Sequence, residues 1–301
     1  MRILITGSNG LLGQKLVELL RQQPDVALIA TSRGPNKLAE VYPDLYFLPL
    51  DVSNWEEVEA VLAQEQPTHL IHTAAMTNVD ECELNQEDCW RHNVTATEHL
   101  VTVCATHKVH LTHVSTDFVF SGEEGPLAED AVPAPINFYG KSKLAAEQAV
   151  QASPGSWAIV RTVLVYGTAH NYGRTNIVLW VRDSLRAGKH IKVVSDQYRT
   201  PTLAEDLAIG CWLVARQNAT GVYHISSSEM LTPYQMALQV ADYFKLDQSL
   251  ITKVDASTFT QPAKRPPRTG FIIGKAQQQL GFQPRNFQAG IALLARQTKP
   301  F

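Results

Sequence analysis

Two side chains four residues apart, Tyr139 and Lys143, are the residues of this chain best placed by type and spacing to do chemistry. They stand in the run Asn137-Phe-Tyr-Gly-Lys-Ser-Lys-Leu-Ala-Ala-Glu-Gln148, rich in helix formers, and an i,i+4 spacing on a helix puts both on one face. A phenol beside an ammonium is expected to titrate below its ordinary value of about 10 and to deliver a proton to a developing alkoxide. Two hydroxyls upstream, Ser115 and Thr116, could hydrogen-bond a carbonyl beside that phenol. A lone Tyr-x-x-x-Lys is common on amphipathic helices, so its meaning depends on what the rest of the chain builds around it.

The chain opens with a short apolar run, Met1-Arg-Ile-Leu-Ile-Thr6, that leads straight into Gly7, Gly10 and Gly13. Leu16, Val17, Leu19 and Leu20 then follow at helical period. Strand, glycine turn and helix in that order make a dinucleotide site: Gly7 for the tight turn, Gly10 for close approach of a pyrophosphate, Gly13 for helix packing. Gly7, Asn9, Gly10, Leu11, Leu12 and Gly13 are therefore candidate cofactor contacts. The second strand, Val26–Ala30, runs into Thr31-Ser32-Arg33, where an NAD site would present an acidic residue to the ribose. Ser32 and Arg33 instead suit a 2′-phosphate, which favours NADPH and leaves NADH as the alternative.

Further strands are expected at 47–52, 68–73, 110–115 and 157–161, with helices at 54–65, 85–107 and 139–152 between them. That alternation predicts an α/β fold with a doubly wound, parallel Rossmann sheet and right-handed crossovers. Ligands of such sheets lie beyond the carboxyl ends of the strands. Asp51 and Val52, Ala74 and Ala75, Ser115 to Asp117, and Val163 to Gly167 fall there. The Pro- and acid-rich stretch 122–135 reads as a long loop close to the ligand.

A chain of 301 residues that is 45% hydrophobic can bury a full core, and a net charge of −3 gives no general attraction to nucleic acid or anionic membrane. No apolar run approaches the roughly 18 residues of a membrane span, and the start lacks the shape of a signal peptide, so the cytoplasm is the expected location. The four cysteines form no Cys-x-x-Cys pair, and His69 with His72, or His110 with His113, lacks a third ligand at motif spacing. Neither disulfides nor a metal are expected.

The set Gly7-x-x-Gly10-x-x-Gly13, Ala74-Ala75, Ser115-Thr116-Asp117-Phe-Val-Phe120, Tyr139-x-x-x-Lys143 and Arg161-Thr-Val-Leu-Val-Tyr-Gly167 resembles the extended short-chain dehydrogenase/reductases. Within them it looks most like the dTDP-4-dehydrorhamnose reductase group, and the runs 195–207, 264–268 and 280–284 are similar to that group as well. The resemblance implies NADPH-dependent reduction of a 4-keto sugar nucleotide, with Tyr139 as proton donor, Lys143 lowering its pKa and binding the nicotinamide ribose, and Thr116 on the carbonyl. It implies further cofactor contacts from Asp51, Val52, Ala74, Ala75, Thr77, Asn93 and Ser115, and substrate contacts from Asp117, Val163, Leu164 and Arg199. Arg265 and Arg268 join Arg199 as loop cations for a diphosphate. A smaller C-terminal substrate lobe is implied too, dividing the chain into 1–165, with part of 195–225 returning to it, and mainly 166–301. Members of the family are often homodimers.

One slot departs from the group: Leu164 stands where a tryptophan would face the sugar. Three rival readings follow from the same resemblance. A dehydratase would carry an acidic residue after Thr-Asp, where this chain has Phe118. A 4-epimerase would retain its nicotinamide. A non-catalytic NADP-binding subunit, like the beta subunit of methionine adenosyltransferase, shares Asp196-Gln197 with this chain.

Overall fold

The computed structural model describes residues 1–171, 173 and 175–298. Its first half runs β1 (Arg2–Thr6), α1 (Leu11–Leu20), β2 (Ala27–Ser32), β3 (Phe47–Pro49), α2 (Trp55–Glu65), β4 (His69–His72), α3 (Val79–Leu84), α4 (Gln86–Trp90), α5 (Ala96–Thr106), β5 (His110–Thr116), α6 (Phe138–Gln151) and β6 (Trp157–Thr162). The second half runs β7 (Val165–Tyr166), α7 (Ile177–Arg186), β8 (Ile191–Val194), β9 (Thr202–Leu203), α8 (Ala204–Arg216), β10 (Gly221–His224), α9 (Pro233–Phe244), β11 (Ile251–Val254), α10 (Gly274–Leu280) and α11 (Phe287–Gln297). Residues 299–301, the end of the expected second division, lie outside the described residues.

Seven strands pair in the order β10-β6-β5-β4-β1-β2-β3, every ladder parallel. The order reverses between β1 and β4, and the crevice opens past the carboxyl ends there. The two-residue alternation of strands divides the core. Ile3, Ile5, Ile71 and Val160 meet α1 and α8, whereas Leu4, Leu70, Leu111 and Ile159 meet α2 and α5.

Helix starts follow from local chemistry: Asn54, Asn78, Asn137, Asn176 and Asn286 each accept a backbone N–H of the first turn of α2, α3, α6, α7 and α11. Thr232 and Gln235 form a reciprocal capping box at α9. The helix expected at 85–107 is instead α4 and α5 joined by a π-helical turn over Arg91–Thr95, with buried Asn93 inside that turn. Strand β3 ends at Pro49 rather than running to 52; Asp51 turns the chain by accepting the N–H and hydroxyl of Ser53.

The chain leaves the sheet after β6 and comes back twice. First β10 adds beside β6 and α8 packs on α1. Then Phe271, Ile273, Leu280 and Phe282 bury themselves in the same core as α1 and α8, a second return that periodicity did not announce. A second, smaller core is built from α7, α9 and α11, which bury Val178, Val181, Met236, Val240, Ile291 and Leu294 around Tyr166 and Phe287. No helix among the described residues is long and apolar enough to cross a membrane.

Helix α6 is locked to β6 by Arg161, whose Nε and Nη2 reach the two carboxylate oxygens of Glu147 at 2.9 and 2.6 Å, both side chains buried. Removing one partner strands a buried charge, whereas replacing both with apolar groups does not. Glu147→Ala is expected to cost about 3–5 kcal/mol by urea denaturation, and Glu147→Leu with Arg161→Met to recover most of it; a single-variant cost below about 1 kcal/mol would contradict this account.

Candidate active site

A cleft of about 1210 Å³ opens along the carboxyl ends of the strands. At one end lies the glycine turn. Gly7 holds φ at +75°, and Gly10 N–H donates to Gly7 O at 2.9 Å. A Cβ at Gly13 would sit 2.2 Å from that same oxygen, so the turn closes only with glycine there. No side chain caps α1. Its first amide N–H groups and the positive end of its dipole are thus available to an anion, and the turn fits a dinucleotide diphosphate.

Asn9 ties this turn to the chain after β2: it accepts from Lys37 N–H and donates to Pro35 O, both at 2.9 Å. Ser32 and Arg33 line the cleft on that strap, with the Arg33 guanidinium 4.0 Å from Asp51 and 70% exposed, free to reach a ligand. Lys37 also lines the cleft and is a cation that sequence reading missed, since it lies beyond the Gly34-Pro35 turn rather than at a strand end. Leu11, Leu12, Asp51, Val52, Ala74, Ala75, Thr77 and Ser115 line the cleft as well, the Ser115 hydroxyl having no partner among the described residues.

Tyr139, Thr116 and Lys143 all line this cleft. The phenol is nearly buried against Phe118, Cys82 and Cys89. Burial pushes it up, well above its ordinary range, with the hydrogen bond to Thr116 opposing and the Asp117 charge adding. The depressed phenol expected from the i,i+4 spacing is therefore not what the protein alone provides. Desolvation dominates, and the Lys143 ammonium is engaged on β5 instead, donating to Val114 O at 2.8 Å and meeting His113 Nε2 at 3.1 Å. Thr116 donates to buried Asp117 at 3.0 Å and accepts from Phe118 N–H, which fixes the hydroxyl oxygen toward the cleft wall. Burial also raises the Asp117 carboxyl, against the pull of Arg199 and of bonds from Thr269 and Thr116.

Several expected contacts lie elsewhere. Asn93 does not line the cleft; its amide accepts from Met76 N–H and donates to Met76 O and Ser142 Oγ, so it fixes the backbone beyond Ala75 rather than facing a cofactor. Val163 is fully buried in the core and is not on the cleft wall, because its side chain alternates with those of Thr162 and Leu164, which are. Leu164 does face the cleft, 40% exposed and at φ +37°, a strained setting for a branched side chain.

Of the three loop cations, Arg199 is buried and spends its N–H groups on the carbonyls of Pro266, Pro267 and Tyr198, and Arg265 is held by Asp80. Both line the cleft; Arg268 does not, and bonds Gly125 O instead. The far wall contains Gln197, of the Asp196-Gln197 pair, together with Phe259 and Gln261, which no spacing in the sequence marked. Among the described residues no group of three metal-ligating side chains exists. The paired histidines are buried strand neighbours, His69 beside His110 and His72 beside His113.

The family model for the RmlD substrate binding domain matches residues 1–299. The chain belongs to this family. The dTDP-4-keto-6-deoxy-D-glucose reductase of Streptomyces niveus is 33% identical over 287 residues, covering 94% of this chain and 92% of that protein. The crystal structure of dTDP-4-dehydrorhamnose reductase from Bacillus anthracis str. Ames in complex with NADP superposes with a TM-score of 0.83 at 28% identity, covering 99% of each chain. Methionine adenosyltransferase 2 subunit beta of Xenopus laevis is 30% identical over 254 residues, covering 82% of this chain and 73% of that protein.

Two outcomes are expected of the cofactor end in this RmlD-family chain. Burial holds the Lys143 ammonium at about 8, below its ordinary value, so it is charged below that pH and neutral above. NADPH affinity, followed by fluorescence titration, should fall as pH rises through about 8, and a flat profile would remove the ammonium from cofactor binding. Arg33→Ala should narrow the NADPH preference over NADH by about tenfold in the ratio of dissociation constants, and equal affinity of the parent for both would refute the phosphate role.

Proposed function

We propose that this NAD(P)-dependent oxidoreductase uses NADPH to reduce the 4-keto group of a sugar nucleotide, and that its substrate is dTDP-4-dehydrorhamnose, giving dTDP-L-rhamnose. The observation that carries the reading is the pairing of the Tyr139 phenol with the Thr116 hydroxyl on one wall of a cleft whose other end is a diphosphate-binding glycine turn. When bound, the nicotinamide supplies the hydride. The residues supply the rest.

Tyr139 offers its hydroxyl to the carbonyl oxygen, and the Thr116 hydroxyl, whose one proton rests on Asp117, turns from that carboxylate to donate to the same oxygen when substrate is bound. Because burial keeps the phenol protonated across neutral pH, Tyr139 waits as a loaded acid; its proton passes to the oxygen as negative charge develops there. Lys143, held to β5 by two of its N–H groups, would give the remaining one to the nucleotide ribose and through that ribose steady the phenolate that is left. Gln197, Phe259 and Gln261 close the far side of the cleft, suited to a planar base and its polar edge. Leu164 gives the sugar an aliphatic wall where a tryptophan would give a ring face.

The presence of tyrosine, lysine and threonine at one site favours catalysis over a purely regulatory NADP-binding role. The test is NADPH oxidation with purified protein and a panel of 4-keto sugar nucleotides. Tyr139→Phe should lower kcat by about 10³-fold while the NADPH dissociation constant stays within about twofold. A variant that kept near-normal turnover would exclude Tyr139 as the acid; NADPH binding without oxidation of any panel member would transfer the site to a binding role.

A further inference from the structure

Lys143 carries three N–H donors and no acceptor. Among the described residues one of them meets Val114 O and another His113 Nε2. A backbone carbonyl would be present whatever residue stood at 114, so the imidazole is the side chain selected for this contact. His113 is fully buried in the middle of the sheet, its ring tilted against His72 at 5.4 Å, and His72 in turn bonds the Thr6 hydroxyl at 2.7 Å.

The tautomer follows from the partner. An ammonium has no lone pair, so Nε2 must be the bare nitrogen and Nδ1 must carry the hydrogen. Nδ1 has no partner among the described residues. The polarity of this ring therefore serves Lys143 and nothing else, although a leucine would fill the same space without the cost of burying a polar group. We infer that His113 is a positioning residue: by accepting one N–H of Lys143 it pins the ammonium against β5 and leaves the remaining N–H for the nucleotide in the cleft.

The charged and titratable groups around this contact are few. His72 faces it from β4, Glu147 and Lys143 from α6, and Cys89 from α4. Burial keeps His72 neutral down to about 3 and His113 neutral well below its ordinary range, so neither ring places a like charge beside the ammonium. The inference rests on the proposed role of Lys143 toward the cofactor.

The experiment compares His113→Leu and His113→Gln in the full chain, by NADPH fluorescence titration across pH, by kcat and KM with the keto sugar nucleotide, and by thermal midpoint. Loss of the acceptor weakens the charged form of Lys143, so in His113→Leu the pH at which NADPH affinity falls should move down by about one unit. Its kcat should drop about tenfold with KM for the sugar within about twofold, and His113→Gln, whose amide oxygen accepts, should restore most of both.

A His113→Leu protein with a lowered thermal midpoint but an unchanged pH midpoint and kcat would overturn the inference in favour of simple packing. Should the leucine variant not fold, His113→Asn, too short to reach the ammonium, takes its place against the glutamine variant, and equal pH midpoints of the two would equally overturn it. If the parent turns over no keto sugar, the proposed function fails on that result alone, whereas the NADPH pH midpoints still decide the place of His113.

Discussion

The attachment of α6 to the sheet is the constraint on which the rest of the site depends. Glu147, one turn beyond Lys143, is gripped by Arg161 of β6, and Lys143 itself is held to two consecutive residues of β5. With two buried anchors on one face, the helix cannot rotate about its axis, and Tyr139 one turn earlier is fixed against the end of β5, where Thr116 stands. The helix start is fixed as well. Asn137 caps it through Gly140 N–H and reaches Lys264 O, while a Cβ at Gly140 would fall 2.1 Å from Phe118 O. Glycine there lets the first turn press directly on the backbone that follows Thr116. Tyr139 and Thr116 are thus placed by backbone packing and buried charge rather than by each other.

Burial also sets the electrostatics. Low polarity around the phenol raises it, and the same surroundings lower the ammonium to about 8, so the pair is held in its protonated forms only up to mildly alkaline pH. The spacing of Tyr139 and Lys143 suggests a direct charge effect of one on the other; the structure shows two groups tuned chiefly by desolvation and by separate partners. A nucleotide bound across both would bring them into one network.

The fold was largely legible from the chain. Strand and helix alternate with clear period changes, and the glycine turn directly after β1 marks the carboxyl end of the sheet. The π-helical turn around Asn93 was not legible, since a helix widened by one residue has nearly the same periodicity as one that is not. Nor was the second return of the chain at Phe271–Phe282, because a short apolar run says that it is buried but not against what.

By itself the sequence determined which chemistry is available: a glycine turn at a helix start, a phenol and a lysine on one helical face, and hydroxyls at a strand end, all consequences of local periodicity and residue type. Only the tertiary structure decided what each group does. Arg199 and Arg265, free cations on paper, are taken up by Pro266 and Asp80; Val163 turns into the core while Leu164 turns out; and Lys37 shares the cleft with Phe259 and Gln261, which lie far from it in the chain. Partners of this kind come from contacts between residues distant in sequence, and a one-dimensional pattern records the type of a side chain but not which buried acceptor will claim it.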